Sequence, residues 1–167
     1  MTIKGLLMKN RILVFTIFIG LVSCKKAEIP VSKFVGIWYD TEYVIPTLSK
    51  LKINADSNFS YTSGACTWRG FSKGKWKMIG DSIELNSIKS DTCYRMFPFI
   101  NCAPFDNGKE GLVTIPNCTS KEKSNFLIFS SEKFYIKNDS LILKIKSVSK
   151  CPDNLKVIFA KAQKIRK

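Results

Sequence analysis

Gly74-Lys75-Trp76-Lys77-Met78-Ile79-Gly80-Asp81-Ser82-Ile83-Glu84-Leu85 decides the fold class. Trp76 and Met78 share a face with Gly74, while Lys73, Lys75 and Lys77 point the other way. Past Gly80-Asp81 the alternation resumes, with Ile83 and Leu85 set against Ser82, Glu84 and Asn86. Successive side chains of a strand leave opposite faces, so this period of two marks half-buried β-structure. Gly-Asp between two such runs supplies the residues a hairpin turn needs.

The same grammar recurs along the chain. Leu51 and Ile53 alternate with Lys50, Lys52 and Asn54; Phe59 and Tyr61 alternate with Ser60 and Thr62. Leu141, Leu143 and Ile145 alternate with Lys144 and Lys146, with Ile142 as the exception, and Leu155, Val157 and Phe159 read as a last strand. Ala55-Asp56-Ser57-Asn58 and Asn138-Asp139 are further turns between strand-like runs. No helical stripe of three turns is present after the leader. Short turns make neighbouring strands antiparallel, so the prediction is an all-β, antiparallel up-and-down meander with one apolar face and one wet, Lys-rich face. Residues 90–124 break the rhythm: they hold Pro98, Pro104, Pro116, Gly108, Gly111 and three cysteines. An insert of this length is either a functional element or a stapled ornament.

The N-terminus reads as a targeting segment. Lys4, Lys9 and Arg11 form a basic start, and Met8 offers a second start site. Residues 12–22 are an apolar run, shorter than the roughly 20 helical residues needed to span a bilayer. It fits the apolar stretch of a signal peptide, typically about 7–15 residues. It ends in Leu21-Val22-Ser23-Cys24, which resembles a lipobox, the signal of bacterial lipoproteins. The resemblance implies cleavage before Cys24, a thioether-linked diacylglycerol on its sulfur and acylation of its amine. Several acyl chains anchor stably where one binds reversibly. The expected organisation is a signal peptide at 1–23, a lipidated tether at 24–33 and a β-domain at 34–167. The alternatives are an ordinary signal peptide that carries a cysteine, or an uncleaved anchor.

Charge and cysteines follow from that address. The chain has a net charge of +14, mostly from lysines spread along its length, which is the pattern of a solvated face. If the charge meets a partner, anionic lipid or a polyanionic surface glycan suits an exported protein better than nucleic acid. Cys66, Cys93, Cys102, Cys118 and Cys151 follow Cys24, and outside the cytosol such cysteines form disulfides. Five is odd, so one is left over. The pairing we expect is Cys66–Cys93 and Cys102–Cys118, with Cys151 as the odd thiol. The sequence has no histidine and no Cys-x-x-Cys, which argues against a metal site. Without histidine there is no Ser or Cys triad, and no Gly-x-Ser-x-Gly or phosphate loop occurs. No pair of carboxylates is singled out, so neither an enzyme nor a cofactor is expected.

Phe34-Val35-Gly36-Ile37-Trp38 opens the domain, and with the meander it resembles lipocalin-like (calycin-type) domains. The resemblance implies a barrel in which Trp38 closes one end, Gly36 permits close packing beside it, and a late basic residue, Arg166, stacks on the tryptophan. Gly-Lys-Trp followed by Gly-Asp-Ser-Ile-Glu-Leu is similar to small lipocalin-like lipoproteins of the Bacteroidetes. Two function classes then stand. In one, the barrel encloses a small apolar ligand lined by Trp38, Tyr61, Trp76, Phe134, Tyr135 and Phe159. In the other, those rings fill the core and an envelope lipoprotein works through its surface. An open or a filled interior separates the two. Lys25 after the cysteine, where inner-membrane retention would use aspartate, makes the outer membrane the expected address.

Overall fold

The alternating runs pair as hairpins. Strands β1 (Gly36–Asp40), β2 (Leu48–Ile53), β3 (Asn58–Gly64), β4 (Arg69–Ile79) and β5 (Ser82–Ser87) follow in order. After an excursion through β6 (Arg95–Pro98) and β7 (Ser124–Ile128), the meander resumes with β8 (Ser130–Lys137), β9 (Ser140–Lys144) and β10 (Ile158–Ala160). The computed structural model describes residues 30–41, 48–65, 67–100, 112–146, 151–152 and 154–162. The leader, Cys24, Cys66, Cys102 and Arg166 lie outside the described residues.

Strands β1, β2, β3, β4, β5, β8, β9 and β10 form a closed ring in which every neighbour is antiparallel. The predicted antiparallel meander thus closes into an eight-stranded barrel. A barrel of eight strands has an interior just wide enough for side chains or one small ligand. The period of two is kept in three dimensions: on β2, Ser49, Leu51 and Ile53 are buried while Leu48, Lys50 and Lys52 are exposed. On β4, Ser72, Gly74 and Trp76 point inward and Lys73, Lys75 and Lys77 outward. The Asn138-Asp139 turn has positive φ at both residues (49° and 56°), as a tight hairpin following the strands' twist requires.

The insert departs from the antiparallel pattern. Strand β7 runs parallel to the start of β4, at Arg69–Phe71, where β5 no longer pairs with it, and β6 runs parallel to β7. The insert is therefore an outgrowth of the sheet beside the barrel's end, which its Pro and Gly content conceals. Two further expectations are corrected. The last strand starts only at Ile158, because Leu155 N–H bonds back to Pro152 O and forms a turn. The disulfide joins Cys93 to Cys118, with Cα atoms 6.1 Å apart, and Cys151 is itself disulfide-bonded. Both of the expected bridges are thereby overturned, and so is Cys151 as the odd thiol. The reason is local: a bridge of Arg95 to Val113, and Thr114 N–H bonding to Tyr94 O, bring the segments around Cys93 and Cys118 together.

One end of the barrel is closed by the entering chain. A 3₁₀ turn, Val31–Lys33, delivers Phe34 into the interior, where it is fully buried. Trp38 Nε1–H donates to Phe34 O at 2.8 Å, so the indole both packs and ties down the plug. Gly36 lies at φ +136°, a conformation L side chains rarely adopt, yet a Cβ there would meet nothing within 4 Å. The glycine thus serves backbone conformation, not the close packing expected of it. The close approach is at Gly74, where a Cβ would overlap the Asn86 carbonyl and the Phe59 ring. At the same end Trp76 Nε1–H donates to Asn54 O at 2.9 Å, anchoring the β2–β3 turn.

Candidate functional site

Five of the six expected lining rings point into the barrel. Trp38, Tyr61, Trp76, Phe134 and Phe159 are all buried in one contiguous apolar cluster. Tyr135 is corrected: it follows the inward Phe134 on β8 and so faces outward, half-buried, opposite Ser82 and Ile142. Consecutive strand residues cannot share a face.

The insert and the chain that leaves it supply the rings that sequence reasoning missed. Phe129, fully buried, stacks at 4.0 Å between centroids with Phe99, which is half-buried against the core. Phe129 meets Phe59 and Tyr61 edge-on at 5.1 and 5.4 Å, and Phe99 meets Tyr61 at 5.3 Å. Phe134 and Phe159 continue the chain at 6.1 Å. Edge-to-face pairs at these distances add about 0.5–1.5 kcal/mol each beyond burial. The signal was present in the concentration of Phe in an otherwise loop-like segment, but a Pro-rich stretch gives no period from which to read a face.

Away from the Phe34 plug, the inward residues become small and polar: Ser49 opposite Ser63, and Ser63 opposite Gly70. Burial pushes the Tyr61 hydroxyl above the usual tyrosine range, against the pull of hydrogen bonds with Ser49 and Ser63, and the negative charge of Asp40 pushes it further up. Tyr61 therefore stays neutral in this polar collar.

At the rim of the same end, β3, β4 and the insert border an open, shallow cleft of about 500 Å³. Phe71 points outward into it and meets Tyr94 edge-on at 4.8 Å and Phe126 at 5.6 Å. Thr62, Arg69, Glu122 and Ser124 supply its polar lining. Tyr94 is held on both sides: its N–H donates to Thr114 Oγ1 at 2.9 Å, its carbonyl accepts from Thr114 N–H at 3.0 Å, and Cys93 beside it is bridged. Asn125 Nδ2–H donates to Arg69 O at 3.2 Å and ties the insert to the β4 start.

The outer wall divides electrostatically. On β5, Glu84 sits between Lys77 at 3.3 Å and Lys133 at 4.0 Å. Burial pushes its carboxyl up, but hydrogen bonds from Lys77 and Asn86 and the two lysine charges outweigh this, and the net shift is below the ordinary value. Lys146 pairs with Glu132 at 3.0 Å. The β2–β4 wall has no such pairs for Lys50, Lys52 or Lys73 among the described residues. Compared with known protein families, curated proteins and solved structures, the chain matches none of them.

Proposed function

We propose that the chain is a non-catalytic, lipid-anchored lipoprotein of the cell envelope, a lipocalin-like barrel with a filled core that works through its surface. The observation that supports the filled core is the Phe99–Phe129 stack, in which Phe99 also meets Tyr61 and Phe134 from other strands of the barrel. The address rests on the basic start, the short apolar run and Leu21-Val22-Ser23-Cys24, with the outer membrane favoured by Lys25. The domain's entry through the 3₁₀ turn at the Phe34 end is compatible with a short tether from Cys24 to the membrane.

Two measurements test the two halves of this reading. Cells expressing the chain with labelled palmitate should label it, and Cys24→Ala should abolish both the label and membrane association; a labelled variant rejects the anchor. An apolar fluorophore such as 1-anilinonaphthalene-8-sulfonate should not bind the wild-type interior, whereas Phe99→Ala with Phe129→Ala should open a chamber for it. Stoichiometric uptake by the wild type would establish an apolar-ligand carrier instead.

A further inference from the structure

The outer faces of β2, β3 and β4 carry cations that no carboxylate among the described residues neutralises. Lys52 lies opposite Ser60 and Ser60 opposite Lys73; one pair further along, Lys50 lies opposite Thr62 and Thr62 opposite Phe71. Neighbouring strands are about 4.8 Å apart, so these three lysines share one patch. All three are exposed, and among the described residues no carboxylate pairs with them. The β5–β8 wall shows that the same protein compensates its lysines elsewhere, with Glu84 and Glu132. Like charges left together repel one another, so this wall is best satisfied by an external anion.

The patch runs directly into the rim cleft, because Thr62 and Phe71 belong to both. The cleft is open to solvent on one side, as a groove that holds one unit of a longer chain must be. It combines two aromatic rings, a guanidinium, hydroxyls and one carboxylate. A sugar ring offers an apolar C–H face for the aromatics and hydroxyls for the polar groups. We infer that this surface binds an acidic polysaccharide. One sugar sits against Phe71 and Tyr94 with its hydroxyls toward Thr62, Ser124 and Glu122. The polymer's anionic groups follow Arg69, Lys50, Lys52 and Lys73.

A glycan fits better than the lipid head groups of the protein's own membrane. The chain enters at the Phe34 end, whereas the cleft lies at the Gly64–Arg69 end of β3 and β4. The seven residues of β3 separate the two ends by about 20 Å. With a tether at Cys24 the cleft faces away from the anchoring bilayer; this orientation rests on the proposed anchor, while the binding chemistry does not.

The test is equilibrium binding of the purified full-length protein to polygalacturonate, with dextran, phosphatidylglycerol vesicles and polyglutamate as competitors. Polygalacturonate should bind, and more weakly as salt is raised. Arg69→Gln, and separately Lys50→Gln with Lys52→Gln and Lys73→Gln, should each weaken binding roughly tenfold, the scale of lost charge-assisted contacts. Tyr94→Leu should weaken it while keeping the salt dependence, and the three competitors should displace little. These lysines are exposed, so the circular dichroism of their variant should match the wild type. Absent binding at low salt, unchanged binding in either cationic variant, or displacement by dextran overturns the inference; displacement by vesicles or polyglutamate overturns it in favour of a membrane or an acidic protein. Binding is read in solution, so its outcome is independent of palmitate labelling at Cys24.

Discussion

Lys161 Nζ lies 5.1 Å from the centroid of the Trp38 ring. The lysine follows directly on β10, which pairs with β1 through Tyr39–Ala160 and Asp40–Phe159. The register that closes the barrel thus also brings a cation over the indole. Arg166, to which the sequence resemblance assigns a place on this ring, lies outside the described residues.

Replacing Lys161 by Gln should therefore lower stability by about 0.5–1 kcal/mol, the range of an exposed cation–π contact. Lys161→Arg should restore it. Trp38→Ala should cost about 3–5 kcal/mol, because it removes a fully buried indole and its hydrogen bond to Phe34 O. Urea midpoints measure all three; a loss above about 2 kcal/mol for Lys161→Gln would mean the lysine does more than cover the ring.

The Cys93–Cys118 bridge closes a segment with a sequence separation of 25. In the chain-entropy model it contributes about 3.5 kcal/mol. Cys93→Ser with Cys118→Ser should cost on that order and loosen Tyr94 in the rim cleft. Mass spectrometry of non-reduced peptides should recover Cys93 linked to Cys118, and Cys151 in a linked peptide. Cys102 linked to Cys118 would contradict the fold of the insert.

Gly74→Ala should be among the more damaging single substitutions on the barrel wall. The new methyl would overlap the Asn86 carbonyl, the Ser87 Cα and the Phe59 ring, and two of these are backbone that cannot step aside. Overpacking of this kind costs about 1–3 kcal/mol or more. Gly64→Ala is the control: its nearest neighbour would be Trp68 O at 3.5 Å, an ordinary contact. Thermal melts should show a clear drop for the first and little for the second.

Glu84 gives the stability an acid limb. Its carboxyl titrates below the ordinary glutamate value in the folded protein. The unfolded chain therefore binds the proton first, so the stabilisation is full above the ordinary value of about 4.3 and is lost as pH falls through the lower folded value. Unfolding midpoints measured from neutral pH downward should fall in this window, and Glu84→Gln should flatten part of that fall. Lys77→Gln should raise the Glu84 carboxyl toward its ordinary value and so shrink the limb. An unchanged limb in both variants would show that another carboxylate controls it.

Much of the barrel was legible in the sequence. Period-two alternation at Leu51/Ile53, Trp76/Met78 and Ile83/Leu85 specifies which side chains are buried, since a slip of one residue would turn every one of them outward. Turn residues such as Asn138-Asp139 then specify antiparallel neighbours, because they accept positive φ. These signals are local, and each needs only a few consecutive residues.

What the tertiary structure alone decided lies in contacts between distant segments. The parallel pairing of β7 with β4, the Cys93–Cys118 bridge and the stacking of Phe99 on Phe129 have no counterpart in local periodicity. Tyr135 shows the limit from the other side: its aromatic character suggests the interior, but its parity on β8, set by Phe134, puts it outside. The rim cleft likewise joins Phe71 to Tyr94 across a connection that composition marks only as irregular. The sequence by itself determined most of the barrel strands and their burial parity, because those depend on neighbours along the chain. The filling of the core and the shape of the cleft depend on which surfaces meet after the ring has closed, and only packing settles that.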